Sequence, residues 1–520
     1  MAEIKKTQDI KLNIKPICIG MKHEYVFEGP CRFGKGDELL GEWDEATTMM
    51  FDQKWKENLH AELDGIEYVN ILDSYVSMRD ETFPINDEIL DEACADSDDV
   101  DLYAVTYFPF GIDLAMAIAK RTGKPFACML TGSATGTATV AALRATGCEA
   151  FGWCNWDQAR TDVAALLARK VMKHLRVLQL IRNNSTTSIS APDSFHNPNT
   201  VTEKMGIKFT YMNLHEFIDM TKEGENVDNH TLPGRHEANP TPEESNQIKA
   251  MTDELVKGAL EVDMSEDSVY KSVKAHYLAQ KLMGELGCNS FTAPCPDMCA
   301  TRRLNQEQFT LCLNHSLNNE QGICSACEMD VSALVSMQLL CALSRTAPYM
   351  GNTMIVKYGA DSKVDAPKSL SKHEKEFNAF CESVADKGGI VCTYHSTATR
   401  KMKGIKGKQE DYAIRPFAMD GRWGATMRYD FAKDAGQVVT VCRFDPSCSK
   451  LFVARGTIVG GAGYYDENCS EGVYYHVNDI DAFAEGNMTV GNHLGLVYGD
   501  VLDAAVRYGQ IAGFEVITCK

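Results

Sequence analysis

From residue 11 onward, short apolar runs of strand length alternate with segments patterned for helix. That alternation restricts the chain to layered α/β architecture with a largely parallel sheet. Lys15-Pro16-Ile17-Cys18-Ile19-Gly20 reads as a first strand, and residues 101–106 and 124–129 as later ones. Residues 113–121 form a helix between them, with Leu114, Met116, Ala117 and Ile118 as its apolar members. After a helix over residues 162–174, a second unit opens with the strand at residues 175–181, followed by a strand at 208–212.

The texture changes twice more. Residues 223–246 carry Pro233, Pro240 and Pro242 among acids and amides and read as an exposed connection. Thr241-Pro242-Glu243-Glu244 then opens a helix, with proline at its first position and acids in its first turn. A helix over 268–286 leads to a strand at 289–292. Beyond about residue 350 short β-type runs prevail, at 389–393, 436–441 and 450–454, separated by turn residues. A helix from 500 to 508, stopped by Gly509, and a strand at 514–518 end the chain. The expected layout is therefore an N-terminal α/β domain (1–174), a second α/β domain (175–348), both Rossmann-like and doubly wound, and a β-rich C-terminal domain (349–520). A length of 520 residues requires such subdivision.

Charge narrows the partners. With 52 Lys and Arg against 72 Asp and Glu, the net charge is −20, and the chain has no basic block. Nucleic acid and anionic membrane are excluded as expected partners, while the acidity suits a divalent cation. The first residues carry no apolar signal-peptide core, and no apolar run approaches membrane-spanning length. A soluble, cytoplasmic protein with reduced thiols is expected, its 19 cysteines scattered through apolar segments.

Three segments combine a carboxylate, an amide and a histidine at the ends of predicted elements. They are Glu328 in Cys-Ser-Ala-Cys-Glu-Met-Asp, Asn352 in Tyr-Met-Gly-Asn-Thr, and His493 in Gly-Asn-His-Leu-Gly. Oxygen donors with one imidazole suit Mn²⁺ or Mg²⁺, which polarises neighbouring sugar oxygens. Glu328 stands at the entrance of a helix whose apolar face is Val331, Leu334, Val335, Leu339 and Leu340. An acid there also fits simple complementation of the helix dipole. Two cysteine pairs, Cys295/Cys299 and Cys324/Cys327, offer a rival zinc site, or thiols packed beneath a pocket. The turn at residues 130–137 matches neither the dinucleotide fingerprint nor the P-loop and reads as a tight turn, and Phe33-Gly34-Lys35-Gly36-Asp37 fails the same tests.

Taken in order, these segments resemble the L-fucose isomerase family, related to L-arabinose isomerase. The resemblance rests on Cys327-Glu328-Met329-Asp330 leading into an apolar helix, Tyr349-Met350-Gly351-Asn352 placed 24 residues beyond Glu328, Asn492-His493 before Val497-Tyr498-Gly499-Asp500, and Ile19-Gly20-Met21-Lys22. It implies a Mn²⁺-type metal-dependent aldose–ketose isomerase acting on a deoxy or modified sugar through a cis-enediol. Glu328, Asn352 and His493 would hold the metal, Lys22 and Asn492 would bind substrate hydroxyls, and the protein would be a closed homo-oligomer, a hexamer or trimer. Asn352 departs from the family, which has Asp there, because an amide oxygen binds metal but is no general base. Asp330, Asp361 or His395 are candidates for the missing proton acceptor, and Arg400-Lys401-Met402-Lys403 for an acidic substrate group. A metal-dependent sugar epimerase or lyase, or a non-catalytic sugar-binding homologue, are the alternatives.

Overall fold

The computed structural model describes residues 3–23, 34–79, 85–108, 111–182, 191–221, 239–366 and 373–520. Phe33 and residues 223–238 of the polar connection lie outside them. The chain is mixed α/β and divides into two compact units, Ile10–Leu167 and Met1–Asp9 with Ala168–Lys520.

In the unit Ile10–Leu167, the strands among the described residues are β1 (Leu12–Met21), β2 (Val69–Ile71), β3 (Tyr75–Arg79), β4 (Leu102–Phe108), β5 (Phe126–Met129) and β6 (Ala150–Trp153). They form one parallel sheet ordered β2-β1-β4-β5-β6, with β3 also beside β1. Helices α1 (Gly41–Leu59), α2 (Ile112–Thr122), α3 (Ala134–Ala145) and α4 (Trp156–Lys173) connect or follow the strands. Near-continuous burial of Leu12, Ile14, Ile17, Cys18 and Ile19 is what a parallel strand covered on both faces requires. The turn before α3 is a tight one. Ser133 Oγ accepts from the Gly136 N–H at 2.9 Å, and a Cβ on Gly136 would stand 2.4 Å from the Met129 carbonyl oxygen.

The larger unit begins with a second parallel sheet. Its strands are β7 (Arg176–Ile181), β8 (Lys208–Asn213), β10 (Ser290–Thr292) and β11 (Ser325–Ala326), ordered β11-β10-β7-β8, while β9 (Glu261–Val262) pairs elsewhere. Helix α5 (Pro242–Gly258) opens with the expected proline and with a capping box between Thr241 and Glu244, and it packs on α6 (Glu266–Glu285). The helices that follow include α7 (Cys295–Ala300), α8 (Cys312–Asn319) and the longer α9 (Val331–Ser344).

The rest of this unit is mostly antiparallel. Its strands are β12 (Tyr349–Lys357), β13 (Ile390–Tyr394), β14 (Ala413–Pro416), β15 (Ala425–Arg428), β16 (Val438–Phe444), β17 (Lys450–Ala462), β18 (Gly472–His476), β19 (His493–Tyr498) and β20 (Glu515–Cys519). Seven run in the order β16-β19-β12-β13-β18-β17-β20, and the further pairing of β16 with β17 closes the sheet on itself. The stretches expected as a second α/β domain and a β-rich domain thus share one compact unit.

Helix α9 fills the interface between these parts, packing on β19, β16 and β11. From Val331 to Leu343 every residue is buried, so the expected amphipathic face is replaced by a helix covered all round. Close approach to β19 is permitted by Gly495, where a Cβ would stand 3.2 Å from the Met337 nitrogen. One expected boundary is corrected at the other end of the chain. The last helix, α10 (Leu502–Ile511), runs through Gly509 rather than stopping there. Gly509 is needed for packing instead, since its Cβ would lie 2.5 Å from Val516 Cγ2.

Candidate metal centre and proton-transfer site

The segment between β11 and α9 is a strained turn. Asp330 N–H donates to the Cys327 carbonyl at 3.2 Å, and the two residues between, Glu328 and Met329, have φ of +60° and +53°. This pattern of two positive φ values normally calls for Asn or Gly, and each ordinary side chain there costs about 1–3 kcal/mol. A hydrogen bond from Met329 N–H to the Ala293 carbonyl, 2.9 Å, helps hold it. The strain turns Glu328 out at the entrance of α9, while Asp330 is left inside as the helix N-cap, accepting from Ala333 N–H at 3.0 Å.

Two imidazoles meet the Glu328 carboxylate. His395 Nε2 lies 3.3 Å from Oε1 and His493 Nε2 lies 3.7 Å from Oε2. The side chains of His395 and His493 are 0% and 2% exposed, against 19% for Glu328, so the carboxylate roofs two buried rings. These three are one of the groups whose donor atoms all lie within 4.8 Å of one another.

The imidazoles are not equivalent, because their other nitrogens have opposite partners. A backbone N–H can only donate, and that of Ser396 reaches His395 Nδ1 at 3.0 Å. His395 therefore carries its proton on Nε2 and donates it to Glu328. The ring is held through its backbone as well, by its N–H to Tyr349 Oη at 2.6 Å, and Tyr349 in turn donates to the Glu471 carbonyl at 2.8 Å.

His493 is arranged the other way. Its Nδ1 faces Asp330 Oδ2 at 2.9 Å, which fixes the proton on Nδ1 and turns the Nε2 lone pair outward. That Nε2 is buried and makes no hydrogen bond. A lone pair and a carboxylate oxygen 3.7 Å apart are two electron-pair donors looking at one point. The donor set fits a divalent cation, since ~2.1 Å bonds to each atom would span the gap.

Behind Asp330 stands Arg443 of β16, fully buried. Its Nη1 donates to Asp330 Oδ2 at 2.8 Å and to the His493 carbonyl at 2.7 Å, Nη2 to Asp330 Oδ1 at 3.3 Å and the Asp193 carbonyl at 2.9 Å, and Nε to the Val490 carbonyl at 2.8 Å. Burial alone would raise the Asp330 carboxyl, but the Arg443 charge and then the His493 hydrogen bond outweigh it and hold Asp330 well below the usual range. Glu328 is likewise lowered: burial opposes, but the His395 hydrogen bond and the two imidazoles prevail.

Asp330, expected as a possible proton acceptor, has a different part: both its oxygens are committed to Arg443, His493 and the helix cap. Asn352 lies directly across from His493 in the β12–β19 register, on the same face of the sheet. Its amide oxygen accepts from Asn492 Nδ2 at 2.5 Å, so the two amides form a pair, with Asn492 Oδ1 receiving the Thr353 N–H at 3.0 Å. Lys22 lies in the other unit, one residue past β1. Asp361 sits exposed in a turn beyond β12. The basic cluster is used internally: Arg400 pairs with Glu320 at 3.0 Å, Lys403 with Asp434 at 2.9 Å, and Met402 is buried.

Arg443 was missed by pattern reading. The available signal is a lone arginine inside the apolar strand Val438–Phe444, which has to find a buried carboxylate.

No family model matches the chain. No curated protein sequence matches it either. Among solved structures, a solute-binding protein of an ABC transporter from R. palustris, in complex with 4-hydroxybenzoate, is similar over 65% of this chain and 86% of that one, at 11% identity and a TM-score of 0.15. A match at that score carries no conclusion about fold or ligand. Among the described residues, no helix is long and apolar enough to cross a membrane.

Proposed function

We propose that this protein is a divalent-cation-dependent sugar isomerase, converting an aldose and a ketose through a cis-enediol, with Glu328 and His493 holding the ion. The observation that carries the reading is the buried, unpartnered His493 Nε2 aimed at the Glu328 carboxylate from an imidazole fixed by Asp330. A cation of the Mn²⁺ or Mg²⁺ type supplies Lewis acidity to adjacent sugar oxygens.

The chain's own groups then divide the work. Glu328 takes the proton from C2 and returns it to C1. His395, donating from Nε2, orients Oε1; with its Nδ1 lone pair taken by the Ser396 N–H it accepts no proton, so both transfers fall to Glu328. Asn352 and Asn492, paired on the adjoining strand edge, offer neutral contacts to sugar hydroxyls. Asp330 and Arg443 touch no substrate and act by positioning His493.

The test is solvent deuterium exchange at C1 and C2, followed by NMR across aldoses, 6-deoxyaldoses and ketoses with added Mn²⁺. Exchange that needs the metal and disappears in Glu328→Gln supports enediol chemistry. Absence of exchange with every sugar, in protein demonstrated to hold Mn²⁺, overturns it.

A further inference from the structure

Beneath Glu328 a second group of donors converges, of different chemistry. Cys295 opens α7, His315 lies on α8, and Cys327 follows β11. The two sulfurs are 3.1 Å apart, and one donor atom from each residue of the trio lies within 4.8 Å of the others. His315 is fully buried, its Nδ1 is 2.8 Å from Ser325 Oγ, and its Nε2 makes no hydrogen bond. The Ser325 hydroxyl can accept an Nδ1 proton, and in that tautomer the Nε2 lone pair is free for a metal.

The Cys327 thiol donates to Cys295 Sγ at 3.1 Å, so the two sulfurs already share one point of approach with the imidazole. The adjoining pocket is lined by Cys299, Cys312 and Cys469 besides Cys295, Cys327 and Glu328. Cys324, the remaining member of the four-cysteine set read from sequence, interacts with Cys341 instead. Strand alternation explains it, since positions 324 and 327 of an extended segment point to opposite faces.

We infer that Cys295, His315 and Cys327 form a second, soft metal site for zinc, with its fourth position open to this thiol-lined pocket. Two thiolates and one imidazole make a known type of tetrahedral zinc set, whereas the Glu328 site offers a hard oxygen donor. Zn–S bonds of ~2.3 Å place two ligand sulfurs roughly 3.8 Å apart in a tetrahedron, so the pair opens modestly to accept the ion. A disulfide would need closure to ~2.05 Å and would leave the buried imidazole unused. The inference stands on its own ligands and does not depend on the isomerase reading.

The experiment loads the full chain with zinc under reducing conditions, dialyses it, and counts metal by mass spectrometry in wild type, Cys295→Ser, Cys327→Ser, Glu328→Gln and His493→Asn. Because a cysteine variant can lose zinc by misfolding, the wild-type protein is also loaded with Co²⁺ and its absorption spectrum recorded. The expected result is about one zinc per chain, kept in Glu328→Gln and His493→Asn, lost in both serine variants, and a thiolate-to-cobalt charge-transfer band. Zinc retained by the serine variants, zinc lost with Glu328 or His493, or wild type without zinc or without the charge-transfer band overturns it. So does a Cys295–Cys327 disulfide formed in preference to metal binding.

Discussion

Asp330 receives the Nδ1 proton of His493 at 2.9 Å while its other contacts tie it to Arg443 and to the first turn of α9. One carboxylate therefore fixes an imidazole tautomer, neutralises a buried guanidinium and starts a helix. Removing its charge has two separable effects. Asp330→Asn should weaken Mn²⁺ binding by about 10–100-fold, because an outer-shell partner sets ligand orientation and basicity. It should also destabilise the fold by up to about 3–5 kcal/mol, since the buried Arg443 loses its closest carboxylate and is left with Asp193 at 3.6 Å. Calorimetric metal titration and urea unfolding measure these, and unchanged Mn²⁺ affinity in a folded variant would refute the positioning role.

Asn352 is the place where a single substitution should increase function. The side chain lies opposite His493 and its oxygen already accepts from Asn492. Asn352→Asp keeps that acceptor and adds a negative charge beside the Glu328 site, so Mn²⁺ affinity should rise by roughly tenfold or more, ligand charge being a main determinant of divalent-ion affinity. Electron paramagnetic resonance titration of free Mn²⁺ reads this directly. An unchanged or weaker affinity would place Asn352 outside the ion's field.

Tyr349 joins two backbone segments through one hydroxyl, receiving the His395 N–H at 2.6 Å and donating to the Glu471 carbonyl at 2.8 Å. Tyr349→Phe removes the hydroxyl, while the His395 N–H still donates to the Glu471 carbonyl at 2.8 Å, so the cost is that of net hydrogen bonds lost, about 0.5–1.5 kcal/mol each. The expected readout is a lower urea midpoint with an unchanged m-value. Wild-type stability would show that the direct hydrogen bond from the His395 N–H to the Glu471 carbonyl suffices without the hydroxyl.

His276 predicts the acid limb of stability. It is fully buried on α6, with Nδ1 3.0 Å from Asn314 Oδ1, and burial pushes its pKa down to about 4 although the Asn314 hydrogen bond opposes. A depressed folded pKa means that the unfolded chain takes the proton first as pH falls. The contribution is therefore intact above about pH 6.5 and lost progressively from there to about pH 4, amounting to about 3 kcal/mol. Denaturant titrations between pH 7.5 and 4.5, compared with His276→Gln, test it: the variant should lack this part of the slope. Identical slopes would exclude His276 as its source.

The residues Glu328 and His493 are legible in the chain because each sits in a local pattern: a carboxylate at the mouth of an apolar helix, and a histidine opening an apolar strand. The parallel strands β1, β4 and β7 are legible for the same reason, since burial on both faces writes a continuous apolar run. Local pattern also gave Thr241 and Pro242 as a helix start, and the structure has a capping box there.

What tertiary structure decided depends on residues far apart in sequence. Nothing within a few residues of position 443 shows that its arginine will hold Asp330, and nothing near Gly509 shows that the glycine makes room for Val516 rather than ending a helix. The different tautomers of His395 and His493 follow from a backbone N–H in one case and a carboxylate brought by another element in the other. The grouping of His315 with Cys295 and Cys327, in place of four cysteines, is of the same kind. Sequence fixes what each segment can present, through periodicity and local hydrogen bonding. Which of those groups meet, and which nitrogen of each ring remains open, is set by long-range packing, because burial forces every charge to find its partner wherever the fold delivers one.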